Sequence, residues 1–524
     1  MFFVYGKVLS ASVLGVEGRL IEVEVDISSG LPQIQIVGLP DPSVRESVER
    51  VRSAIKNSGC PFPMERITVN LAPADLRKEG ASYDLAIAAG ILATTGHLSL
   101  PEGDPCLILG ELALDGSLRP VPGILPMVEA AKKAGIRRVV LPAPNAMEAL
   151  FISEVSVLPL ERLSEWIKGS PTFVNDIKFL GHKSKWRNSP SGANSPSELP
   201  QLDFSDVSGQ LQAKRSLMIA AAGMHNLLLI GPPGTGKTML AHRLPTILSP
   251  LNEDEALEVT KIYSVSGKML HRADLLRERP FRSPHHTTSS GGLIGGGTVP
   301  KPGEASLAHR GVLFLDELPE FPRSVLEVLR QPLEDRQVTI SRAKAVYTFP
   351  SHFMLIASMN PCPCGYLGGE TPEQSCTCSP LQIKKYRSRL SGPLLDRIDL
   401  QVEVPRMDYA SIAGRMPSLS SADMRQHMEN ASCAQAQRYR EIGIRFNGEL
   451  AGKWLKVHCR LIPDAEDILR QSFEALGLSA RAHDRILKMA RTIADLEGCE
   501  IIEPGHIAEA VQYRALDRRF AVVG

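Results

Sequence analysis

The stretch Asn226-Leu-Leu-Leu-Ile-Gly231-Pro-Pro-Gly-Thr-Gly236-Lys237-Thr238 decides the fold of the central part of the chain. Its second half is a complete G-x-x-x-x-G-K-T phosphate-binding loop, and the apolar run before it predicts a buried strand. A helical pattern over residues 239–248 follows. Strand, glycine loop and helix in this order predict a nucleoside triphosphate site on an α/β fold.

The residues of this loop have distinct roles. Its glycines let successive backbone N–H groups face the β-phosphate, with the positive end of the helix dipole behind them. The ammonium group of Lys237 can reach the β- and γ-phosphates, and the Thr238 hydroxyl can bind Mg²⁺. We expect the nucleotide to contact the whole loop: Gly231, Pro232, Pro233, Gly234, Thr235, Gly236, Lys237 and Thr238.

Two further apolar runs end in polar side chains. Residues 311–315 lead into Asp316 and Glu317, and residues 353–359 lead into Asn360. In a parallel sheet these ends meet at one edge. We expect Asp316 to hold Mg²⁺ through water, Glu317 to orient and deprotonate the attacking water, and Asn360 to fix that water. Taken alone, Asn360 before Pro361 is also typical of a turn.

Composition narrows the class of protein. The chain has 524 residues, enough for two to four domains, and 59 basic residues against 58 acidic ones. This balance excludes a nucleic-acid binder that relies on a basic tail, but not binding by local patches. The sequence predicts neither a signal peptide nor a membrane span, and its scattered cysteines are typical of a reducing cytoplasm.

The pattern along the chain predicts a multidomain α/β protein. Residues 181–200 are rich in Ser, Pro, Asn and Gly and predict a linker. Before it, residues 1–180 alternate short strands, at 20–26, 34–37 and 67–70, with helices. After it, residues 201–405 form the P-loop domain and residues 406–524 are helical, notably over 464–476 and 480–497.

The three strand ends together resemble the AAA+ ATPase family, in which they are named Walker A, Walker B and sensor 1. Residues 204–210 resemble the segment that cups adenine in that family, which implies that Val207 and Gly209 contact the base and that ATP is the nucleotide. Residues 280–286, 291–297 and 302–309 resemble the magnesium-chelatase-like branch. The layout of the whole chain is similar to the YifB/ComM family.

That resemblance implies a function and further site residues. A family member acts as a ring-shaped, hexameric DNA helicase that drives branch migration during natural transformation. Residues 394–400 match the arginine-finger segment, so Arg397 would complete the site of a neighbouring subunit. Arg481 fits sensor 2, and residues 406–524 would be the helical lid of magnesium-chelatase C-terminal type.

Two segments are candidates for DNA contact. The glycine-rich segment 291–297 suits a mobile loop that presses Arg282 or Lys301 against phosphates, although a lid without DNA contact is the alternative. Residues 338–349 predict a hairpin with Arg342 and Lys344 near its tip. The resemblance places this tip in the ring pore, whereas the residues alone fit a solvated turn equally well. His285-His286 could bind a metal, but adjacent histidines do not readily share one ion.

Four cysteines form the pattern CxC-x11-CxC at residues 362–378: Cys362, Cys364, Cys376 and Cys378. Four thiolates favour tetrahedral Zn²⁺ and leave no open position for catalysis. An iron–sulfur cluster is the alternative, although the four cysteines lack its usual spacings. Because the pattern lies between Asn360 and Arg397, we expect a structural clip beside the subunit boundary or facing DNA. On this expectation Cys376→Ser releases zinc and destabilises the ring, while ATP binding by Lys237 stays largely intact.

Residues 1–180 resemble the α+β fold of the Lon protease. Ser82 falls where Lon has its nucleophile, but Leu125 falls where Lon has its lysine base. Serine without a base is a weak nucleophile, so we expect a Lon-like domain without peptidase activity. An ATP-driven DNA helicase is therefore favoured over an ATP-dependent protease or chaperone-type remodelling ATPase. A metal-chelatase subunit is less favoured, because that subunit lacks a Lon-like domain.

Overall fold

The structure is a computed structural model that describes residues 4–100, 104–169, 172–175, 202–269, 274–342, 345–370, 374–407 and 419–514. The predicted linker at 181–200 and Lys344 lie outside these ranges. Within them, no helix combines the length and the apolar character that crossing a bilayer requires.

The N-terminal region is built on a seven-stranded mixed sheet. The strands of the whole region are β1 (Val4–Leu14), β2 (Glu17–Ser28), β3 (Gln33–Val37), β4 (Arg66–Ala72), β5 (Cys106–Ile108), β6 (Glu111–Leu112), β7 (Leu118–Arg119), β8 (Arg138–Pro142) and β9 (Ser156–Leu160). The order is β3-β4-β2-β1-β5-β8-β9, and β6 pairs with β7 separately. Alternate residues of β2 are buried, as the period of a strand with one covered face requires. The strands predicted at 20–26, 34–37 and 67–70 are thereby confirmed.

Helices cover this sheet: Pro42–Asn57, Asp84–Thr94, Ile124–Lys133, Ala146–Ala149 and Leu163–Lys168, with a 3₁₀ turn at Ala143–Asn145. Leu125 is fully buried in the apolar cluster beneath helix Ile124–Lys133. Lys132 lies near Ser153 and Glu154, and Lys133 lies near Glu129, so both lysines have partners of their own. The side chain of Leu125 offers no proton acceptor.

The central region contains a five-stranded parallel sheet. Its strands and those of the adjoining hairpins are β10 (Leu227–Ile230), β11 (Phe281–Arg282), β12 (Gly295–Gly296), β13 (Lys301–Pro302), β14 (Val312–Leu315), β15 (Gln337–Arg342), β16 (Ala345–Pro350), β17 (Met354–Met359) and β18 (Leu400–Glu403). The sheet order is β11-β14-β17-β10-β18. Every residue of β10, β14 and β17 is buried, which explains their unbroken apolar runs. β15 and β16 form the hairpin that the sequence predicted.

Helices surround this sheet: Leu211–Gly223, Lys237–Arg243, Glu253–Val265, Ser290–Ile294, Glu304–Leu307, Arg323–Glu327, Arg330–Asp335, Pro380–Arg387 and Gly392–Leu395, with 3₁₀ turns at Phe204–Asp206, Leu244–Thr246 and Leu318–Glu320. The C-terminal region is helical: Ser421–Arg438, Lys453–His458, Pro463–Leu476, Ala480–Leu496 and Pro504–Gln512, with a 3₁₀ turn at Asn447–Glu449. Its apolar side chains share one cluster with β10 and β18.

Helix Glu253–Val265 connects the N-terminal and central regions. Lys261 pairs with Glu129 at 2.7 Å, and the Ser264 carbonyl accepts a hydrogen bond from the Gly123 N–H at 3.1 Å. Leu257 packs against the apolar cluster that contains Leu125. The two regions therefore meet through both polar and apolar contacts.

The opposite face of the same helix joins a set of nine ionisable side chains, four of them buried, which we call the ionic hub. Glu255 pairs with Arg279 at 3.2 Å and with Arg445, and Glu258 pairs with Arg310 at 3.1 Å. His309, Arg336, His352 and Glu449 complete the hub. Since Arg336 and His352 flank the β15–β16 hairpin and Arg445 and Glu449 belong to the C-terminal region, the hub ties these parts together.

Candidate functional site

The site lies at the carboxyl edge of the five-stranded sheet. β17 pairs in parallel with both β10 and β14, so the residues that follow these three strands emerge side by side. The phosphate loop follows β10, Asp316 and Glu317 follow β14, and Asn360 follows β17. The three segments that the sequence singled out are therefore brought together.

The Lys237 side chain is buried within its own loop. Its ammonium group donates to the carbonyl oxygens of Gly231 at 2.7 Å and Pro232 at 2.8 Å, and lies 3.4 Å from Oδ1 of Asn360. Burial lowers the pKa of Lys237 to about 8, while the charges of Asp316 and Glu317 act in the opposite direction. A cation is thus held beside the asparagine and both carboxylates.

Asp316 is positioned by two hydroxyl groups. Thr238 Oγ1 donates to one carboxylate oxygen at 2.8 Å, and Ser358 Oγ donates to the other. A hydroxyl and a carboxylate so close together are oxygen ligands of the kind that Mg²⁺ prefers. Thr238 and Asp316 therefore fit the magnesium site that the sequence predicted.

Glu317 has the geometry of a group that acts on a ligand rather than on the fold. Its side chain is 56% exposed, and its backbone has a left-handed φ of 53°. The Nδ1 atom of His286 lies 4.0 Å from its carboxylate. A carboxylate with this freedom can orient and deprotonate water at the sheet edge.

Sequence reasoning missed Ser358, and it did not connect Gln210 with the Pro405 carbonyl or His286 with Glu317. Besides binding Asp316, Ser358 Oγ accepts the backbone N–H of Glu317 at 3.3 Å. Its position two residues before Asn360, on the same side of the strand, was the available signal. Gln210 donates to the Pro405 carbonyl at 2.8 Å, next to Thr235, and His286 approaches Glu317.

The segment predicted to cup adenine is held against the core. Val207 is buried, and its carbonyl accepts a hydrogen bond from the Lys214 ammonium at 2.7 Å. Gly209 has a left-handed φ of 59°, and a methyl group there would lie 2.2 Å from Cε of Met407. The nucleotide contacts of Val207 and Gly209 remain predictions.

Arg397 and Arg481 converge on one carboxylate. Arg397 forms an ion pair with Glu334 and donates to the Pro393 carbonyl at 2.6 Å. Arg481 lies 4.0 Å from the other oxygen of Glu334. Arg397 is the main cause that lowers the pKa of Glu334. The structure thus groups the predicted sensor 2 arginine with the predicted finger, and both roles stay predictions.

The DNA-contact candidates differ in their surroundings. Arg282 is bound by both oxygens of Glu304, at 2.6 and 2.9 Å, so its guanidinium group already has an anionic partner. Lys301 is exposed, and Arg342 donates to the carbonyl of Gly297 at 3.0 Å. The glycine-rich segment and the β15–β16 hairpin therefore meet, and the DNA contacts of all three residues remain predictions.

The four cysteines form one cluster. All four sulfur atoms lie within 4.8 Å of one another, and Cys362, Cys364 and Cys376 are 3.3 to 3.7 Å apart. Zinc bound by thiolates at about 2.3 Å needs sulfur atoms about 3.8 Å apart, so the cluster fits zinc. The backbone N–H of Tyr366 lowers the pKa of Cys364 to about 6, whereas partial burial and the neighbouring thiols raise the pKa values of Cys376 and Cys378. Zinc binding would therefore release protons from those two thiols.

Comparison with known proteins agrees with this geometry. Models of magnesium chelatase subunit ChlI match residues 203–412 and 23–145, and a model of the ChlI C-terminal part matches residues 418–514. Uncharacterized protein YifB of Salmonella typhimurium is 44% identical over 97% of this chain and 96% of its own length. Competence protein ComM of Haemophilus influenzae is 43% identical over 98% of this chain and 97% of its own length.

A weaker likeness concerns part of the chain only. Lon protease 2 of Bacillus subtilis is 27% identical over 28% of this chain and 29% of its own length. The parallel sheet and its phosphate loop, together with these matches, define a magnesium-chelatase-like AAA+ ATPase. Within that class the chain belongs to the YifB/ComM family.

Proposed function

We propose that this protein is an ATP-hydrolysing, ring-forming DNA motor. It would act as a helicase that promotes branch migration when incoming DNA recombines during natural transformation. The observation that carries the proposal is the convergence of Lys237, Thr238, Asp316, Glu317 and Asn360 at one sheet edge. The competence-protein name of a relative that matches nearly the whole chain supports the biological setting.

The proposed mechanism uses the residues of this edge. Lys237 binds the β- and γ-phosphates, Glu317 accepts a proton from the attacking water, and the Asn360 amide orients that water. Thr238 and Asp316 would hold Mg²⁺, which neutralises charge on the phosphate oxygens when bound. Arg397 of a neighbouring subunit supplies positive charge to the transferring phosphoryl group. This arrangement implies a closed ring, which by likeness to the family is a hexamer.

We assign the other parts of the chain accordingly. Residues 1–180 would be a Lon-like domain without peptidase activity, 201–405 the motor, and 406–524 its lid, in a cytoplasmic protein. Lys301, Arg342 and Lys344 would contact the DNA backbone in the pore, where phosphate contacts supply affinity. A protease is disfavoured because Leu125 is buried and its position offers no base.

A hydrolysis assay tests the proposal. ATP turnover by the full-length protein is measured without DNA, with single-stranded DNA and with a branched junction, beside Lys237→Ala. We expect DNA to raise ATP turnover by the wild type, and we expect Lys237→Ala to show no ATP turnover. ATP turnover that DNA leaves unchanged, with no DNA retained at moderate salt, would contradict the proposal. Degradation of casein with ATP would favour the protease instead.

A further inference from the structure

The loop that carries the cysteines lies directly on the phosphate loop. A methyl group added at Gly369 would lie 2.3 Å from Cγ of Pro232, and one at Gly365 would lie 2.7 Å from Cδ of Pro233. Both distances are shorter than carbon atoms tolerate, so two glycines here allow backbone to pack on two proline rings. At Gly368, by contrast, a methyl group would meet nothing within 4 Å.

Pro232 is also the point at which the phosphate loop holds its own lysine. Its carbonyl oxygen accepts hydrogen bonds from the Lys237 ammonium at 2.8 Å and from Thr235 Oγ1 at 3.0 Å. A displacement of Pro232 would therefore move the acceptor of Lys237 and the middle of the loop together. The contact with Gly369 is in a position to prevent that displacement.

The cysteine loop is fixed on the N-terminal side of this contact. Cys362 is fully buried, and its carbonyl accepts the backbone N–H of Gly365 at 3.0 Å. The Pro361 carbonyl accepts two hydrogen bonds from the Arg387 guanidinium group, at 3.2 and 3.3 Å. In the described part of the loop between Pro361 and Ser379 there is no helix, and the sulfur cluster brings the two ends of the loop together.

We propose that the segment from Pro361 to Gly369, clipped by zinc on Cys362, Cys364, Cys376 and Cys378, forms a wall of the nucleotide site that positions the phosphate loop. Zinc thereby supports ATP binding without touching the nucleotide, and Gly365 and Gly369 are positioning residues. This rests on the proposed ATPase function. It also replaces the expectation from sequence that Cys376→Ser leaves ATP binding largely intact.

The test measures zinc content and the Kd of a fluorescent ADP analogue in excess Mg²⁺, on the full-length protein. We expect one zinc per chain in the wild type. Gly369→Ala should retain zinc yet raise the nucleotide Kd about tenfold, because the added methyl group displaces Pro232. Gly505→Ala is the matched control, since its methyl group would meet nothing within 4 Å.

Two further measurements separate the metal from the loop. Cys376→Ser should lose zinc and raise the Kd, and stripping zinc from the wild type with a zinc-selective chelator should do the same until zinc is restored. The chelator experiment does not depend on any variant folding. Thermal melting of Gly369→Ala checks that its fold is intact.

The outcomes are distinct. A wild-type Kd in both zinc-loaded Gly369→Ala and zinc-free protein would overturn the inference while leaving the ATPase proposal in place. A wild type that contains no zinc would also overturn it. A wild type that binds no nucleotide, although folded and zinc-loaded, would instead contradict the proposed function.

Discussion

The nucleotide site and the ionic hub use the same kinds of side chain in opposite ways. At the nucleotide site Glu317 is 56% exposed and held loosely. In the hub Glu255 is almost fully buried and paired with two arginines. A carboxylate that must act on a ligand is left accessible, whereas one that joins regions is covered by its partners. Substitutions at the first should therefore reduce activity, and substitutions at the second should reduce stability.

The largest expected effect is on catalysis. Glu317→Gln should lower ATP turnover about 10²- to 10⁴-fold, because an amide cannot take the proton of the attacking water. Nucleotide affinity and the unfolding midpoint should stay at their wild-type values. Glu320→Gln, three residues away in an exposed pair with Arg389, is the control and should keep full turnover.

The next effect is on stability. Glu255→Ala leaves Arg279 and Arg445 without their shared carboxylate, and breaking a buried ion pair typically costs about 3–5 kcal/mol. We expect a loss of that size in the free energy of unfolding, measured by urea denaturation. Glu49→Ala, which breaks the exposed pair with Arg52, should change it by less than about 1 kcal/mol. If Glu255→Ala and Glu49→Ala lost the same free energy of unfolding, ion pairs in the hub would contribute no more to stability than exposed ones.

Ser358 tests the support behind the nucleotide site. Without its hydroxyl group, Asp316 loses one hydrogen bond and the Glu317 N–H loses an acceptor. Groups that orient metal ligands typically contribute about 10- to 100-fold, so Ser358→Ala should raise the Mg²⁺ concentration for half-maximal turnover by about tenfold. Ser388→Ala, on an exposed helix end, should leave it unchanged. An unchanged Mg²⁺ requirement in Ser358→Ala would show that Asp316 needs no such support.

The smallest expected effect is on the pH dependence of folding stability. Burial lowers the pKa of His309 below its ordinary value of 6.5, and its Nδ1 accepts the backbone N–H of His352 at 3.0 Å. The ring is thus neutral in the folded state but takes up a proton when unfolded. Its stabilising contribution is present above about pH 6.5 and is lost as the pH falls further, with a slope that approaches about 1.4 kcal/mol per pH unit at most.

The urea midpoint between pH 7.5 and 5.5 checks this. His309→Gln should flatten the slope, while His97→Gln, on an exposed ring, should not. Asp84 acts with the opposite sign, since burial raises its pKa to about 6 and its contribution grows as the pH falls. Because Asp84 is present in both the wild type and His309→Gln, its contribution cancels when the pH slopes of the two proteins are compared. Identical slopes would contradict the neutral state of His309.

The two regions also differ in how far sequence could predict them. Lys237, Asp316 and Asn360 follow apolar strands, and parallel strands bring their ends to one edge, so local patterns suffice. The hub joins Glu255 with Arg445, which are far apart in sequence and share no spacing. The pairing of Arg282 with Glu304 likewise cannot be predicted from the sequence, because it depends on how two loops fold back. The packing of Gly369 on Pro232 needs coordinates for the same reason.

The central claim is that ATP hydrolysis at this edge moves DNA strands. The most direct test is migration of a labelled, mobile branched junction by the wild type and by Glu317→Gln, with ATP and with a nonhydrolysable analogue. We predict that only the wild type with ATP converts the junction to product. ATP turnover by the wild type without any movement of the junction would contradict the claim.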